Sequence, residues 1–105
     1  PLTRAQLVER VVTYLDQHFR ENIRPEQVAE RFAISYTHLR RLFHAAMGQS
    51  MKEHIVHRRL SLAKSLLVGH HMPIKQVARQ VGYDDEYYFM RLFKRHVGVS
   101  PGRFE

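Results

Sequence analysis

The sequence predicts an all-α fold, and three observations carry that prediction. Apolar residues recur at three- and four-residue spacing along the chain, and no segment alternates with period two for long enough to argue a strand. A pattern of short helix, tight turn and longer helix also occurs twice. At 105 residues the chain is about the size of one domain, and 44% hydrophobic content is enough for a core.

The first stripe runs through Leu7, Val8, Val11, Val12, Leu15 and Phe19, with Glu9, Arg10, Thr13, Asp16 and Gln17 on the other face. Thr3 followed by Gln6 suits the capping box that would start this helix. Asn22 lies beyond the stripe, where the chain must turn. Pro25 fits the first position of a short helix whose apolar residues are Val28, Ala29 and Phe32. Ser35 is a good N-cap for the next helix, expected to carry Leu39, Leu42, Phe43 and Ala46 inward, and Gly48 would stop it as a left-handed cap. Ser50 and Glu53 form a second capping box, opening a long helix expected to run to about Val68 and to end at Gly69. Pro73 would start another short helix with Val77, Ala78 and Val81. Asp84 is expected to cap a helix containing Phe89, Leu92 and Phe93, closed by Gly98. Ser100-Pro101 can start one last turn, leaving Phe104 to cover the core.

Part of this pattern repeats. Gln27-Val28-Ala29 returns as Gln76-Val77-Ala78, 49 residues later. Arg41-Leu42-Phe43 returns as Arg91-Leu92-Phe93, Gly48 as Gly98 and Ser50 as Ser100, all 50 residues later, so the second copy holds one extra residue near its turn. Two copies are too few for a solenoid and point to a paired supersecondary unit. The plan is that of helix-turn-helix, with turns near Ala33-Ile34-Ser35 and Gly82-Tyr83-Asp84. A single copy could equally be a hairpin used only for packing; two copies on a basic chain favour the binding motif.

The charge is segregated. Seventeen Lys and Arg against ten Asp and Glu leave +7, which points first to an anionic partner, with nucleic acid foremost. Between Tyr36 and Gly82 the only acid is Glu53, while Arg40, Arg41, Lys52, Arg58, Arg59, Lys64, Lys75, Arg79 and six of the eight His fall in that stretch. Acids gather in the first 30 positions and in Asp84-Asp85-Glu86. A merely solubilising surface needs no such segregation.

Other classes fare worse. Without Cys there is no disulfide framework and no thiolate zinc site. Runs such as Ser65-Leu66-Leu67-Val68 are far short of a membrane span, and no signal-peptide pattern follows Pro1. The start without Met suggests a processed product or a piece of a longer protein. His54 and His57 lie three apart on one helix, and His70 and His71 adjoin in an expected loop, but no Cys or carboxylate trio completes a metal site. No nucleophile, base and orienting acid can be assembled, so an enzyme is not expected, nor is a cofactor. Tyr87, Tyr88 and Phe89 raise single-strand stacking, but Phe89 lies on the core stripe.

A specific resemblance follows from the motifs. Ile74-x-x-Val77-Ala78, Val81-Gly82-Tyr83, Tyr88-Phe89-x-Arg91-x-Phe93-Lys94 and Gly98-x-Ser100-Pro101-x-x-Phe104 resemble, in order, the signature of the AraC/XylS family of bacterial transcription regulators. Val28-Ala29-Glu30-Arg31-Phe32, the stretch from Ser35 to Phe43, and Gly48-Gln49-Ser50 resemble the same family, so the likeness runs from about Leu7 to Phe104. It implies a homeodomain-like fold of about seven helices. Two helix-turn-helix subdomains, 1–49 and 70–105, are joined by a linker helix over 50–69 in a single DNA-binding domain. In the family each unit puts its second helix into the major groove, at successive turns on one face of the duplex. A linker from Ser50 to Val68 is roughly 28 Å long at ~1.5 Å per residue. Successive major-groove faces are roughly 34 Å apart, so the length is compatible with two reading heads. The linker's apolar residues occupy more than a narrow stripe, from Met51 and Ile55 to Leu66 and Leu67, which suits packing against both halves.

Candidate contacts follow from the faces left outside the core. Tyr36, Thr37, His38, Arg40 and Arg41 remain outward on the first recognition helix. Arg40 is the leading base reader, since guanidinium can bond guanine O6 and N7 together. Arg41 can read a base or grip a phosphate, Thr37 can contact base or backbone, and His38 can do so or simply face solvent. On the second, Glu86, Tyr87, Met90, Arg91 and Lys94 remain. The first four match groove-facing positions of the family, as do Thr37, Arg40 and Arg41. Arg91 is the strongest base or phosphate candidate, Met90 can touch a thymine methyl or simply fill the surface, and Glu86 can accept from cytosine N4. Tyr36, Lys52, Arg58, Arg59, Lys75 and Lys94 are expected on phosphates, although Arg58 or Arg59 can equally pair with an acid inside the domain. Asp84 and Asp85 are assigned to capping and to the helix dipole, and their charge should weaken this half's grip on phosphates.

The expected function is sequence-specific double-stranded DNA binding by a cytoplasmic bacterial regulator, nucleoid-associated when bound. The rivals are a non-specific architectural DNA binder and a module whose basic face docks an acidic protein. Family members commonly activate transcription by touching RNA polymerase, and many carry an effector-binding or dimerisation domain N-terminal to this one.

Overall fold

A computed structural model describes residues 1–104, with His70 described by its backbone alone. Among these residues there are six α-helices and a closing 3-10 turn, and no strand. The helices are α1 (Arg4–His18), α2 (Pro25–Arg31), α3 (Tyr36–Met47), α4 (Met51–His70), α5 (Ile74–Val81) and α6 (Glu86–Val97), followed by the turn Pro101–Arg103. The chain divides into two compact units, Pro1–His57 and Arg58–Glu105, with the division falling inside α4.

The first unit is held by α1, α2, α3 and the start of α4. Thr3 and Gln6 form the capping box, each side chain closing on the other's backbone amide, at 3.1 and 2.9 Å. Val8, Val11 and Leu15 of α1 are buried with Val28 and Ala29 of α2, Leu39 and Phe43 of α3, and Met51 and Ile55 of α4. Burying a side chain such as Phe43 or Leu15 stabilises by roughly 1.5–3 kcal/mol each. Ala46, expected inward, is exposed, and Leu42 is half-buried. Leu39 and Phe43, one turn apart, are the fully buried residues of α3, and Leu42 packs against the edge of the core.

In the second unit Leu60 and Ala63 of α4 are buried with Val77, Ala78 and Val81 of α5, and with Phe89, Leu92 and Phe93 of α6. Phe104 packs edge-on against Phe93, with ring centroids 5.6 Å apart. Three further boundaries depart from expectation. α4 does not end at Gly69 but runs to His70, and the left-handed residue that follows is His71, at φ 48°. Pro73 is the N-cap of α5 rather than its first helical residue. Asp84 does not cap α6; Asp85 does, with its carboxylate accepting from the amides of Tyr87 and Tyr88.

The two helix-turn-helix turns close alike. Ile34 N donates to Ala29 O and Ala33 N to Glu30 O; Tyr83 N donates to Ala78 O and Gly82 N to Arg79 O. This is the Schellman arrangement, which needs a left-handed residue just past the helix. Gly82 supplies it at φ 111°, whereas in the first copy Ala33 is held there at φ 55°. From Ala33 to the cap Ser35 is two steps, and from Gly82 to the cap Asp85 is three. The extra residue of the second copy therefore lies in this turn.

Candidate nucleic-acid interface

Ser35 and Asp85 start the two helices that carry the expected base-reading side chains. Ser35 Oγ accepts from His38 N at 3.1 Å, offering a neutral cap. Asp85 Oδ1 accepts from Tyr87 N at 3.0 Å and from Tyr88 N at 3.1 Å, so a negative charge occupies the start of α6.

Burial sets the same register on both helices. Leu39 and Phe43 are fully buried in α3, and Phe89 and Phe93, 50 residues on, are fully buried in α6. On α3 this leaves Tyr36, Thr37, His38, Arg40 and Arg41 exposed. On α6 it leaves Tyr87, Arg91 and Lys94 exposed, with Glu86 and Met90 half-buried. Tyr87, at 72% exposure, is the most open of the large apolar side chains. Positions 36, 37, 40 and 41 share one face at helical spacing, and 86, 87, 90 and 91 repeat that face in the other unit.

Among the expected phosphate contacts, Lys52, Arg58, Lys75 and Lys94 are exposed and Tyr36 is 37% exposed. Arg59 differs. Its guanidinium carbon lies 4.7 Å from the centroid of the Tyr83 ring, and its Nη1 is 3.5 Å from Gly82 O, at the long limit of a hydrogen bond. The internal partners of Arg59 thus include a ring and a carbonyl. Tyr83 is buried, and that burial pushes its hydroxyl above the usual phenol value, with Arg59 beside it acting in the opposite direction.

The start of α4 is closed by its own side chains. Glu53 Oε1 accepts from Ser50 N at 2.9 Å, and Ser50 Oγ accepts from Glu53 N at 3.0 Å. The Ser50 amide, the Ser50 hydroxyl and the nearby imidazoles of His44 and His57 hold the Glu53 carboxyl below the ordinary carboxylate range.

The pattern of the sequence did not disclose the role of His54. It is 8% exposed, and its Nε2 lies 2.8 Å from Asp16 Oδ1. Its Nδ1 is 3.4 Å from Gln49 Nε2, while His57 Nδ1 lies 2.8 Å from Gln49 Oε1. Among the described residues no three His, Asp or Glu side chains converge to hold a metal ion. No helix among them is long and apolar enough to cross a membrane.

Comparison with known proteins agrees with this geometry. A family model described as a helix-turn-helix domain matches residues 28–105. The arabinose operon regulatory protein of Escherichia coli (strain K12) is 37% identical over 98 residues, covering 92% of this chain and 34% of that protein. Among solved structures, the C-terminal domain of AraT, a response regulator from Geobacillus stearothermophilus, superposes with a TM-score of 0.90 at 33% identity, covering 93% of this chain and 82% of that one. The DNA-binding domain of the global transcriptional factor AdpA, solved in complex with a target DNA, shares the fold at a TM-score of 0.84 and 24% identity, covering 90% of this chain and 86% of that one. The chain spans about a third of the length of the curated relatives it matches.

Proposed function

This chain belongs to the AraC/XylS family of transcription regulators, as a DNA-binding helix-turn-helix domain, and from that premise we propose how it reads its site. α3 and α6 each enter a major groove of one duplex, at adjacent segments. Thr37, His38, Arg40 and Arg41 contact bases in the first segment, and Glu86, Tyr87, Met90 and Arg91 in the second. Lys52, Arg58, Lys75, Lys94 and the Tyr36 hydroxyl grip phosphates and set the register.

The observation that carries this reading is the repeated register. With Leu39 and Phe43 buried in one unit and Phe89 and Phe93 in the other, positions 36, 37, 40 and 41 and positions 86, 87, 90 and 91 fall at matching places on two helices. Packing alone would not require the outward faces to keep an arginine at position 41 and again at 91. A bidentate arginine–guanine contact discriminates by about 1–3 kcal/mol, which is enough to make these faces selective.

In the longer protein we place this domain after an N-terminal effector or dimerisation domain and give it contact with RNA polymerase, so that binding activates transcription. The protein works in the cytoplasm, at the nucleoid when bound, and the domain has no catalytic role.

Selection from a random duplex library at near-physiological salt tests the reading. Two sequence blocks about one helical turn apart are expected, with Arg40→Ala relaxing one block and Arg91→Ala the other. A winner that binds no better than a scrambled duplex, with the same steep salt slope, would leave only phosphate-driven binding.

A further inference from the structure

We infer that Arg59 is a positioning residue for the second reading helix: it clamps the Gly82–Tyr83 turn and, through Tyr83, sets the pose of α6, instead of gripping a phosphate. The inference rests on α6 being a DNA-reading helix.

The contacts form a chain. The guanidinium lies over the Tyr83 ring at 4.7 Å and reaches toward Gly82 O at 3.5 Å. Gly82 and Tyr83 close the turn between α5 and α6 through their amides to Arg79 O and Ala78 O. The Tyr83 ring also meets Tyr88 and Phe89, in the first turn of α6, with centroids 5.7 and 6.0 Å apart. Tyr88 and Phe89 directly follow Glu86 and Tyr87 and precede Met90 and Arg91, so a tilt of their turn moves every outward side chain of that face.

Two features set this clamp apart from ordinary packing. A planar guanidinium on an aromatic face, with one edge aimed at a carbonyl, uses a geometry that an ammonium cannot reproduce. The equivalent of Tyr83 in the first copy is Ile34, an aliphatic residue that offers no ring face to a cation. The second turn is also the longer one, carrying the extra residue between Gly82 and Asp85, and so has more freedom to be restrained. Arg59 and its neighbour Arg58 therefore divide their work: Arg58 is exposed, and Arg59 is turned into its own unit.

The experiment compares the parent with Arg59→Lys, Arg59→Gln, Tyr83→Leu and the Arg59→Lys/Tyr83→Leu double variant, each shown folded by circular dichroism at the assay temperature. The probes are the selected duplex and versions with either block scrambled; the α6 block is the one whose preference Arg91→Ala abolishes. Arg59→Lys keeps the charge, so a phosphate contact would survive it. A lost clamp instead weakens binding to the intact duplex roughly tenfold, leaves binding to the α6-scrambled duplex unchanged, and is not made worse by adding Tyr83→Leu. Arg59→Gln leaves the salt slope as in the parent and moves one phenol's ionisation, followed by ultraviolet absorbance, to higher pH. The inference is overturned if Arg59→Lys binds like the parent, or if Arg59→Gln lowers the salt slope by about one while weakening all duplexes alike. A parent that ignores the α6 block would overturn the DNA-reading role of α6 itself, and this inference with it.

Discussion

His54 Nε2 donates to Asp16 Oδ1 at 2.8 Å, tying α4 to α1 across 38 residues of sequence. The same ring stands edge-on to Phe43 of α3, with centroids 5.9 Å apart. One imidazole on α4 thus touches both α1 and α3, the helix that carries Arg40. Replacing it with alanine removes a buried ring and a hydrogen bond to a carboxylate, so His54→Ala is expected to cost about 2–3 kcal/mol of stability. His54→Gln, which can still donate to Asp16, should cost about half of that. Urea unfolding decides the matter, and an alanine variant as stable as the parent would remove His54 from the list of tertiary ties.

Ala33 offers a prediction of the opposite sign. It occupies the left-handed position of a Schellman turn at φ 55°, where its counterpart is Gly82. A Cβ in that conformation costs roughly 1–2 kcal/mol, and a new glycine gives part of this back through unfolded-state entropy. Ala33→Gly should therefore stabilise by about 0.5–1 kcal/mol, raising the melting temperature by roughly 2–6 °C. Gly82→Ala should lower it. A melting temperature that falls in Ala33→Gly refutes the strain.

These two cases show where sequence reading reaches and where it stops. Caps and boxes at Thr3, Ser35 and Ser50 were legible because each is closed within three residues. The buried faces of α3 and α6 were legible from spacing, and the outward faces followed from them. Choosing Asp84 over Asp85 failed because both acids suit a cap, and only the backbone of the longer turn decides between them. Gly69 failed as a stop because the left-handed residue that terminates α4 is His71, two residues on. Neither His54–Asp16 nor Arg59–Tyr83 has a local signal, since each joins elements distant in sequence. Arg59 in particular reads as one more cation on a basic chain until Tyr83 is beneath it.

The two ends of the pH scale should report two different side chains. Glu53 has its folded-state carboxyl held below its ordinary value, so its contribution to stability is full above about pH 4.5 and disappears as pH falls through the lowered value. Glu53→Gln should flatten that part of the acid limb in a melting-temperature series from pH 7 to pH 3. Tyr83 is raised by burial, so the neutral phenol supports the fold up to the usual phenol value near pH 10. That support is lost as pH climbs through the raised folded value. The Tyr83 phenol should ionise late, above the usual phenol value, and Tyr83→Phe should remove that late step. Retention of the late step in Tyr83→Phe would assign it elsewhere.

Asp85 does two jobs that can be separated. Its carboxylate caps α6 through the amides of Tyr87 and Tyr88, and its charge sits where Ser35 puts a neutral hydroxyl in the other unit. Asparagine keeps an accepting oxygen, so Asp85→Asn should hold stability within about 0.5 kcal/mol, whereas Asp85→Ala should lose about 1 kcal/mol with the cap. For DNA the charge matters more than the cap. A carboxylate roughly 6 Å from a phosphate at water-like dielectric repels it by about 0.7 kcal/mol, or about threefold in affinity. Asp85→Asn should therefore tighten binding about threefold at low salt, with the gain shrinking as salt screens the repulsion. Titrating the selected duplex at two salt concentrations separates the outcomes. Affinity unchanged in Asp85→Asn would mean that this carboxylate lies away from the backbone of the duplex; Glu86→Gln, which weakens an acceptor proposed to meet a base, should instead lose affinity.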